Sequence, residues 1–92
     1  MNKEICRQKL MALLTVVDNL SDDADIMTIS LSYDDAGEIA FFNGLYETAE
    51  LNGLSITANK NHCQSEYGYF WKDAELHGVC LIEQGRMQNG RR

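Results

Sequence analysis

The chain has no lysine or arginine over the fifty residues between Lys9 and Lys60. That stretch carries nine acids, whereas its two flanks together hold five acids and eight bases. The net charge of −6 therefore originates in this one segment. A surface of a single sign repels phosphate backbones and attracts cations or basic protein surfaces. The lack of bases argues against direct nucleic-acid binding and favours a basic protein partner.

Other absences narrow the class of protein. Proline is missing, and no apolar run approaches the roughly 18 residues that a membrane span needs. Charged residues interrupt the apolar positions of the N-terminus, which is not typical of a signal peptide. The three cysteines, Cys6, Cys63 and Cys80, are an odd count without a secretory context, so we expect reduced thiols in the cytoplasm.

The length predicts one domain with one modest core. A chain of this size buries about 60–65% of the surface that its unfolded form exposes, so a deep pocket would be costly. Surface binding is therefore favoured over a buried active site. We expect a globular domain over residues 1–85 and a flexible basic tail over 86–92, because the tail is polar and holds three arginines.

The first half of the chain predicts a helix and a strand. Residues 3–20 carry an apolar stripe at helical spacing, with Asn2 as the N-cap. The stripe consists of Cys6, Leu10, Leu13, Val17 and Leu20, widened by Leu14 and Val16. Residues 26–33 alternate, which predicts a strand with Met27, Ile29, Leu31 and Tyr33 facing the core.

Residues 36–52 fit two structures. As a helix they present a continuous apolar arc, capped by Asp34 or Asp35 and ended by Asn52-Gly53 in a left-handed turn. The alternative is a β-hairpin that turns at Asn43-Gly44. We favour the helix because both of its ends carry stop signals, although a glycine within it costs about 1 kcal/mol.

The second half predicts a short strand over 54–59 and a hairpin of 65–71 with 76–83 around a loop at 72–75. In that register Trp71 faces Leu76, Tyr69 faces Gly78 and Tyr67 faces Cys80. The order is then α-β-α-β-β-β, with a right-handed crossover from the first strand through the second helix. We therefore predict an α+β two-layer sandwich whose helices pack on one face of a small mixed sheet.

No catalytic or cofactor motif stands out. His62-Cys63 and His77-Gly-Val-Cys80 supply four zinc-type ligands, but this spacing would place neighbouring ligands on opposite sides of a strand. Cys80 lies between apolar residues, which favours an inert core thiol. We expect no metal and no cofactor.

Two further patterns have ordinary structural explanations. The acids from Asp18 to Asp25 resemble a calcium loop but lack its glycine and its terminal glutamate. An exposed row of Tyr67, Tyr69 and Trp71 would stack nucleobases. Few lysines or arginines lie nearby to attract phosphates, so we favour core packing of these aromatic residues.

The main functional hypothesis is a small non-catalytic protein-binding module whose acidic face docks on a basic, nucleic-acid-binding protein. The carboxylates of such a face can bind Arg and Lys side chains in place of phosphates. Small acidic inhibitors and accessory factors from phages or mobile elements are the class that this hypothesis suggests. The competing interpretation is an acidic surface that only confers solubility. The candidate residues are Asp22, Asp23, Asp25, Asp34, Asp35, Glu38, Glu47 and Glu50.

Two alternatives belong to other classes. One is a structural subunit that assembles as a homodimer or a hetero-oligomer through an open sheet edge. The other is a small enzyme or ligand-binding domain that uses His77 and Cys80 in a pocket.

Within the acidic face, the clusters at 22–25 and 34–38 flank strand 26–33 and lie roughly 25–30 Å apart, so a partner must span that distance or choose one end.

Overall fold

A computed structural model describes residues 1–31, 33, 37–64 and 69–86, with side chains described outside 59–71 and 85–86. Two helices and five strands follow one another in the order α-β-β-α-β-β-β. They are α1 (Lys3–Val17), β1 (Asp25–Ser30), β2 (Gly37–Asn43), α2 (Leu45–Asn52), β3 (Thr57–Gln64), β4 (Tyr69–Leu76) and β5 (Val79–Arg86). The α+β class is confirmed, and the order differs from the predicted one by an additional strand.

The five strands form one mixed sheet in the order β1-β2-β5-β4-β3. β1 pairs antiparallel with β2, and β3, β4 and β5 form an antiparallel meander. The central pair, β2 with β5, is parallel, with Ile39 opposite Leu81. The predicted crossover from strand 26–33 through a helix to strand 54–59 is wrong, because β1 and β3 lie at opposite edges of the sheet.

Both helices pack on one face of the sheet and share a single core with it. Alternate residues of the central strands point towards the helices, as strand periodicity requires. Leu13 and Val16 from α1 and Leu45 from α2 complete this core. The sheet contributes Ile39, Phe41, Ala74, Leu76, Val79 and Leu81.

α1 begins as expected and ends earlier than expected. The Asn2 side chain accepts a hydrogen bond from the Ile5 amide, 2.8 Å away, which confirms it as the N-cap. The helix ends at Val17, three residues before the predicted limit. Its buried residues are Leu13 and Val16, so the covered arc is narrower than the apolar stripe of the sequence.

Of the range 36–52, residues 37–52 are described, and they form neither one helix nor a hairpin at Asn43-Gly44. They divide into β2 and α2, joined at Gly44. Gly44 has φ +105°, a conformation that other residues rarely adopt, so the chain turns there from strand to helix. The expected left-handed stop after Asn52 is present, because Gly53 has φ +68° and caps α2.

The terminal hairpin turns later than predicted. β4 and β5 are joined by the two residues His77 and Gly78, both with positive φ, as tight hairpins require. Lys72 and Glu75 therefore lie within β4, and Trp71 pairs with Gln84 instead of Leu76. β3 starts at Thr57, so the strand predicted over 54–59 is displaced towards the C-terminus.

β1 lies at an edge that the helix layer does not cover. Ile29 pairs with Ile39 and so shares its face, yet Ile29 is 50% exposed whereas Ile39 is fully buried. Met27 and Tyr33 are also exposed, so of the four residues predicted to face the core only Leu31 packs against it. The pairing shifts at Ile26, and this bulge brings Ile26 instead of Met27 against the core.

Candidate acidic groove

The loop between α1 and β1 is fastened to α2 by side chains of α2. The buried Thr48 hydroxyl accepts a hydrogen bond from the Ser21 amide at 3.0 Å. The Asn52 side-chain nitrogen donates to the Asn19 carbonyl at 2.8 Å and to the Thr48 carbonyl at 2.9 Å. The bonds from Ser21 to Thr48 and from Asn52 to Asn19 join segments about thirty residues apart in the chain, and they fix the loop relative to the helix.

Ser21 also organises the loop itself. Its side-chain oxygen accepts a hydrogen bond from the Asp23 amide at 3.3 Å, and its carbonyl accepts one from the Ala24 amide at 3.0 Å. Serine commonly initiates turns through such local bonds. The turn leaves Asp22 and Asp23 exposed beside α2.

Four acidic residues line a cavity where this loop meets α2. Asp22 and Asp23 come from the loop, and Glu47 and Glu50 come from successive turns of α2. They surround a cavity of about 350 Å³ together with Leu20, Ser21 and Leu51. We call this cavity the acidic groove. No described lysine or arginine lines it.

α2 is itself held in place by a carboxylate from the sheet. Gly44, its N-cap, offers no side chain to the first amides of the helix. Glu83 of β5 replaces that cap, because its Oε1 accepts a hydrogen bond from the Leu45 amide at 3.0 Å. The other oxygen, Oε2, lies 2.9 Å from Nζ of Lys72 on β4. The groove thus rests on a helix that is anchored to two strands.

Six of the eight predicted partner-binding acids lie in the described part of the chain, and four of these six line one groove. Asp22, Asp23, Glu47 and Glu50 meet in the acidic groove. Asp25 is exposed at the start of β1 and does not line the groove. Glu38 belongs to β2 and pairs with Ser30, at the other end of β1 from Asp25. Its neighbours in β2 face the helices, so Glu38 faces away from them. Asp34 and Asp35 lie outside the described residues.

Sequence reasoning missed the residues that assemble the groove. Thr48 and Glu83 carry no signal in the sequence, and Asn52 is predicted only as part of the helix stop Asn52-Gly53. Their partners lie 27 to 38 residues away in the chain. One local signal existed: Glu47 and Glu50, at a spacing of three, share a face of any helix that contains both.

A second depression, of about 390 Å³, lies on the sheet face away from the helices. It is lined by Ser55, Thr57, Asp73, Ala74, Glu75, Gly78 and Cys80. His77 is exposed in the adjoining turn and does not line it. Of the two residues in the enzyme hypothesis, Cys80 lines this depression and His77 does not.

Oδ1 of Asp73 is the buried side-chain oxygen in this depression for which no described group provides a hydrogen bond. Among the described residues, no group of three or more His, Cys, Asp or Glu side chains is arranged to hold a metal ion. The side chains of His62, Cys63, Tyr67, Tyr69 and Trp71 lie outside the described part, so the zinc and base-stacking interpretations of those residues stay untested.

Comparison with protein-family models, with curated proteins and with solved structures finds no significant match. In the described part of the chain, neither helix has the length and apolar character that a membrane crossing requires.

Proposed function

We propose that this protein is a small non-catalytic binding module whose acidic groove receives a basic segment of a protein partner. The observation that carries the proposal is the convergence of Asp22, Asp23, Glu47 and Glu50 on one groove. The hydrogen bonds from Ser21 and Asn52 hold the two halves of that groove together before any partner arrives. A preformed site loses less conformational entropy on binding.

The chemistry of the groove suits arginine and lysine. Carboxylates pair with a guanidinium through two parallel hydrogen bonds, which gives geometry as well as attraction. Leu20 and the exposed Leu51 offer apolar contact to the methylene stems of such side chains. A groove with carboxylates at its rim and leucines beside them therefore favours a segment that alternates basic and apolar residues.

We infer further that the partner is a nucleic-acid-binding protein, which this module inhibits or assists by occupying its basic surface. Carboxylates at fixed positions can take the place of phosphates. The segregation of acids between Lys9 and Lys60 supports this inference. Inhibitors and accessory factors of phages and mobile elements are the class that such a function suggests. A reducing, cytoplasmic setting, which the odd count of three cysteines favours, is part of this proposal.

The test uses two variants that remove equal charge. In the groove variant, Asp22→Asn, Asp23→Asn, Glu47→Gln and Glu50→Gln neutralise the site. In the control variant, Glu4→Gln, Asp25→Asn, Glu38→Gln and Glu75→Gln neutralise four described acids outside it. Fluorescence anisotropy measures binding of a labelled peptide of alternating arginine and leucine at low and high salt.

We expect the groove variant to lose at least about tenfold in affinity, because each charge-assisted hydrogen bond contributes about 1.5–3 kcal/mol. The control variant should lose only the small contribution of overall charge, which salt screens over about 10 Å at 0.1 M. Equal losses in both variants would reduce the site to a diffuse acidic surface. A separate experiment tests whether the carboxylates take the place of phosphates. Single-stranded DNA should then compete with this protein for binding to a nucleic-acid-binding partner.

A further inference from the structure

α1 carries an apolar stripe that the fold leaves uncovered. Leu10, Leu14 and Val17 are 52%, 61% and 37% exposed. Their spacing of four and three places them within an arc of about 60° on the helix. This is the spacing of the seam in a helical pair. They lie beside the arc of Leu13 and Val16, which already contacts the sheet.

The same seam changes sign of charge from one end to the other. Continued towards the N-terminus with the same alternation, it passes through Arg7 and Lys3, both exposed. At the C-terminal end of α1 it meets the exposed Asp18. Apart from Glu4, which pairs with Arg7, this surface of α1 is basic at its start, apolar in its middle and acidic at its end. Such a surface is complementary to itself when it is turned by 180°.

We propose that α1 binds α1 of a second copy of this chain in antiparallel orientation. A two-fold interface requires one patch to be its own partner, and the order basic, apolar, acidic meets that requirement. When Leu10 of one copy lies opposite Leu14 of the other, Arg7 lies within reach of Asp18 on each side of the axis. This interface is independent of the acidic groove and goes beyond the function proposed for it.

The size of the seam limits the strength of the dimer. A helix of fifteen residues is about 22 Å long, so a single helical pair lies at the low end of stable interfaces. We therefore expect a dissociation constant in roughly the micromolar range. Arg7 already lies 3.0 Å from Glu4, but both side chains are largely exposed, and such a pair is weak enough for Arg7 to exchange partners.

A charge-swap experiment distinguishes this dimer from any other. Arg7→Glu and Asp18→Arg each place like charges across the proposed axis, and the double variant restores opposite charges. Within one chain the two positions are about 16 Å apart along the helix, so they can compensate each other only between copies. Gln8→Glu adds an acid to the same turn as Arg7 but away from the seam, and it serves as the control.

Sedimentation equilibrium of the whole chain measures the dissociation constant. We expect each single variant to weaken the dimer by about tenfold or more, the double variant to recover most of that loss, and Gln8→Glu to behave as the wild type. Leu14→Lys should give a monomer, with an unchanged far-UV circular dichroism spectrum as evidence of folding. A wild-type protein that stays monomeric at several hundred micromolar would overturn the proposal. So would a dimer unaffected by these changes, which would move the interface to the exposed edge at β1.

Discussion

Gly44 connects β2 to α2 in a conformation that allows little else. Its φ of +105° disfavours any side chain, and a Cβ there would lie 2.6 Å from Cα of Ala24. That contact is with backbone, which cannot move aside without moving the α1–β1 loop. The position is therefore constrained by both its own backbone and its neighbour.

Substitution of Gly44 by alanine should accordingly destabilise the fold by about 2–4 kcal/mol, as the sum of backbone strain and overpacking. Gly53 provides the matched control. It also has a positive φ, +68°, but a Cβ at Gly53 would meet no atom within 4 Å. Gly53→Ala should cost about 1 kcal/mol. Urea unfolding of both variants checks the difference, and equal losses would remove the steric part of this account.

Glu83 joins three elements through one carboxylate. It caps the Leu45 amide of α2 and pairs with Lys72 of β4, while its own backbone belongs to β5. Breaking a buried pair by removing one partner leaves the other charge uncompensated and is strongly destabilising. We expect Glu83→Ala to cost about 3 kcal/mol and Glu83→Gln about half of that, since glutamine can still accept from the amide.

Hydrogen exchange at the Leu45 amide reports on this cap directly. Exchange there should accelerate more in Glu83→Ala than in Lys72→Met, because only the first change removes the acceptor. If both variants protect the amide as well as the wild type does, the carboxylate does not cap α2.

At the level of elements, the acidic groove depends on the bonds between α2 and the loop before β1. Thr48→Val keeps the volume of a fully buried side chain but removes the acceptor of the Ser21 amide. The loss of one buried hydrogen bond predicts about 1–3 kcal/mol of destabilisation. The loop should also loosen, and affinity for the arginine–leucine peptide should fall.

Thr48→Ser is the matched control for this prediction, since it retains the hydroxyl and loses one methyl group. It should bind the peptide as the wild type does, with a small loss of stability. The comparison separates the position of the carboxylates from their number, because neither variant changes a charge. If both variants bind the peptide equally well, the hydrogen bond between Ser21 and Thr48 does not organise the acidic groove.

The sequence predicted those elements whose determinants are local. Asn2 caps α1 and Gly53 ends α2, because a cap depends on residues within one turn. β2 was missed because Ile39 and Phe41 fit an apolar helical arc and an alternating strand equally well. The turn at Gly44 separates strand from helix, and the backbone of Ala24, twenty residues away in the chain, leaves no room for a side chain at that turn. The acidic groove was not predicted for the same reason, since the hydrogen bonds that hold it together join distant segments of the chain.

At the scale of the whole molecule, the net charge of −6 opposes the compact state, because folding gathers like charges. The acidic groove concentrates four of them within one cavity. The groove variant with four amides should therefore unfold at a higher urea concentration than the wild type at low salt. That advantage should shrink as sodium chloride screens the repulsion. A groove variant that is no more stable than the wild type at low salt would argue against mutual repulsion there.

The position of β5 has a consequence for synthesis of the chain. β5 is inserted between β2 and β4, and it pairs with β2 about forty residues after β2 has been made. A chain growing on the ribosome can form the β1–β2 hairpin and α1 early, since those contacts are local. The core around Leu13 and Ile39 nevertheless stays incomplete until Val79 and Leu81 have been synthesised. During translation the unfinished sheet therefore presents its apolar face to the cell until the last described strand emerges, and this interval is when a chaperone would bind.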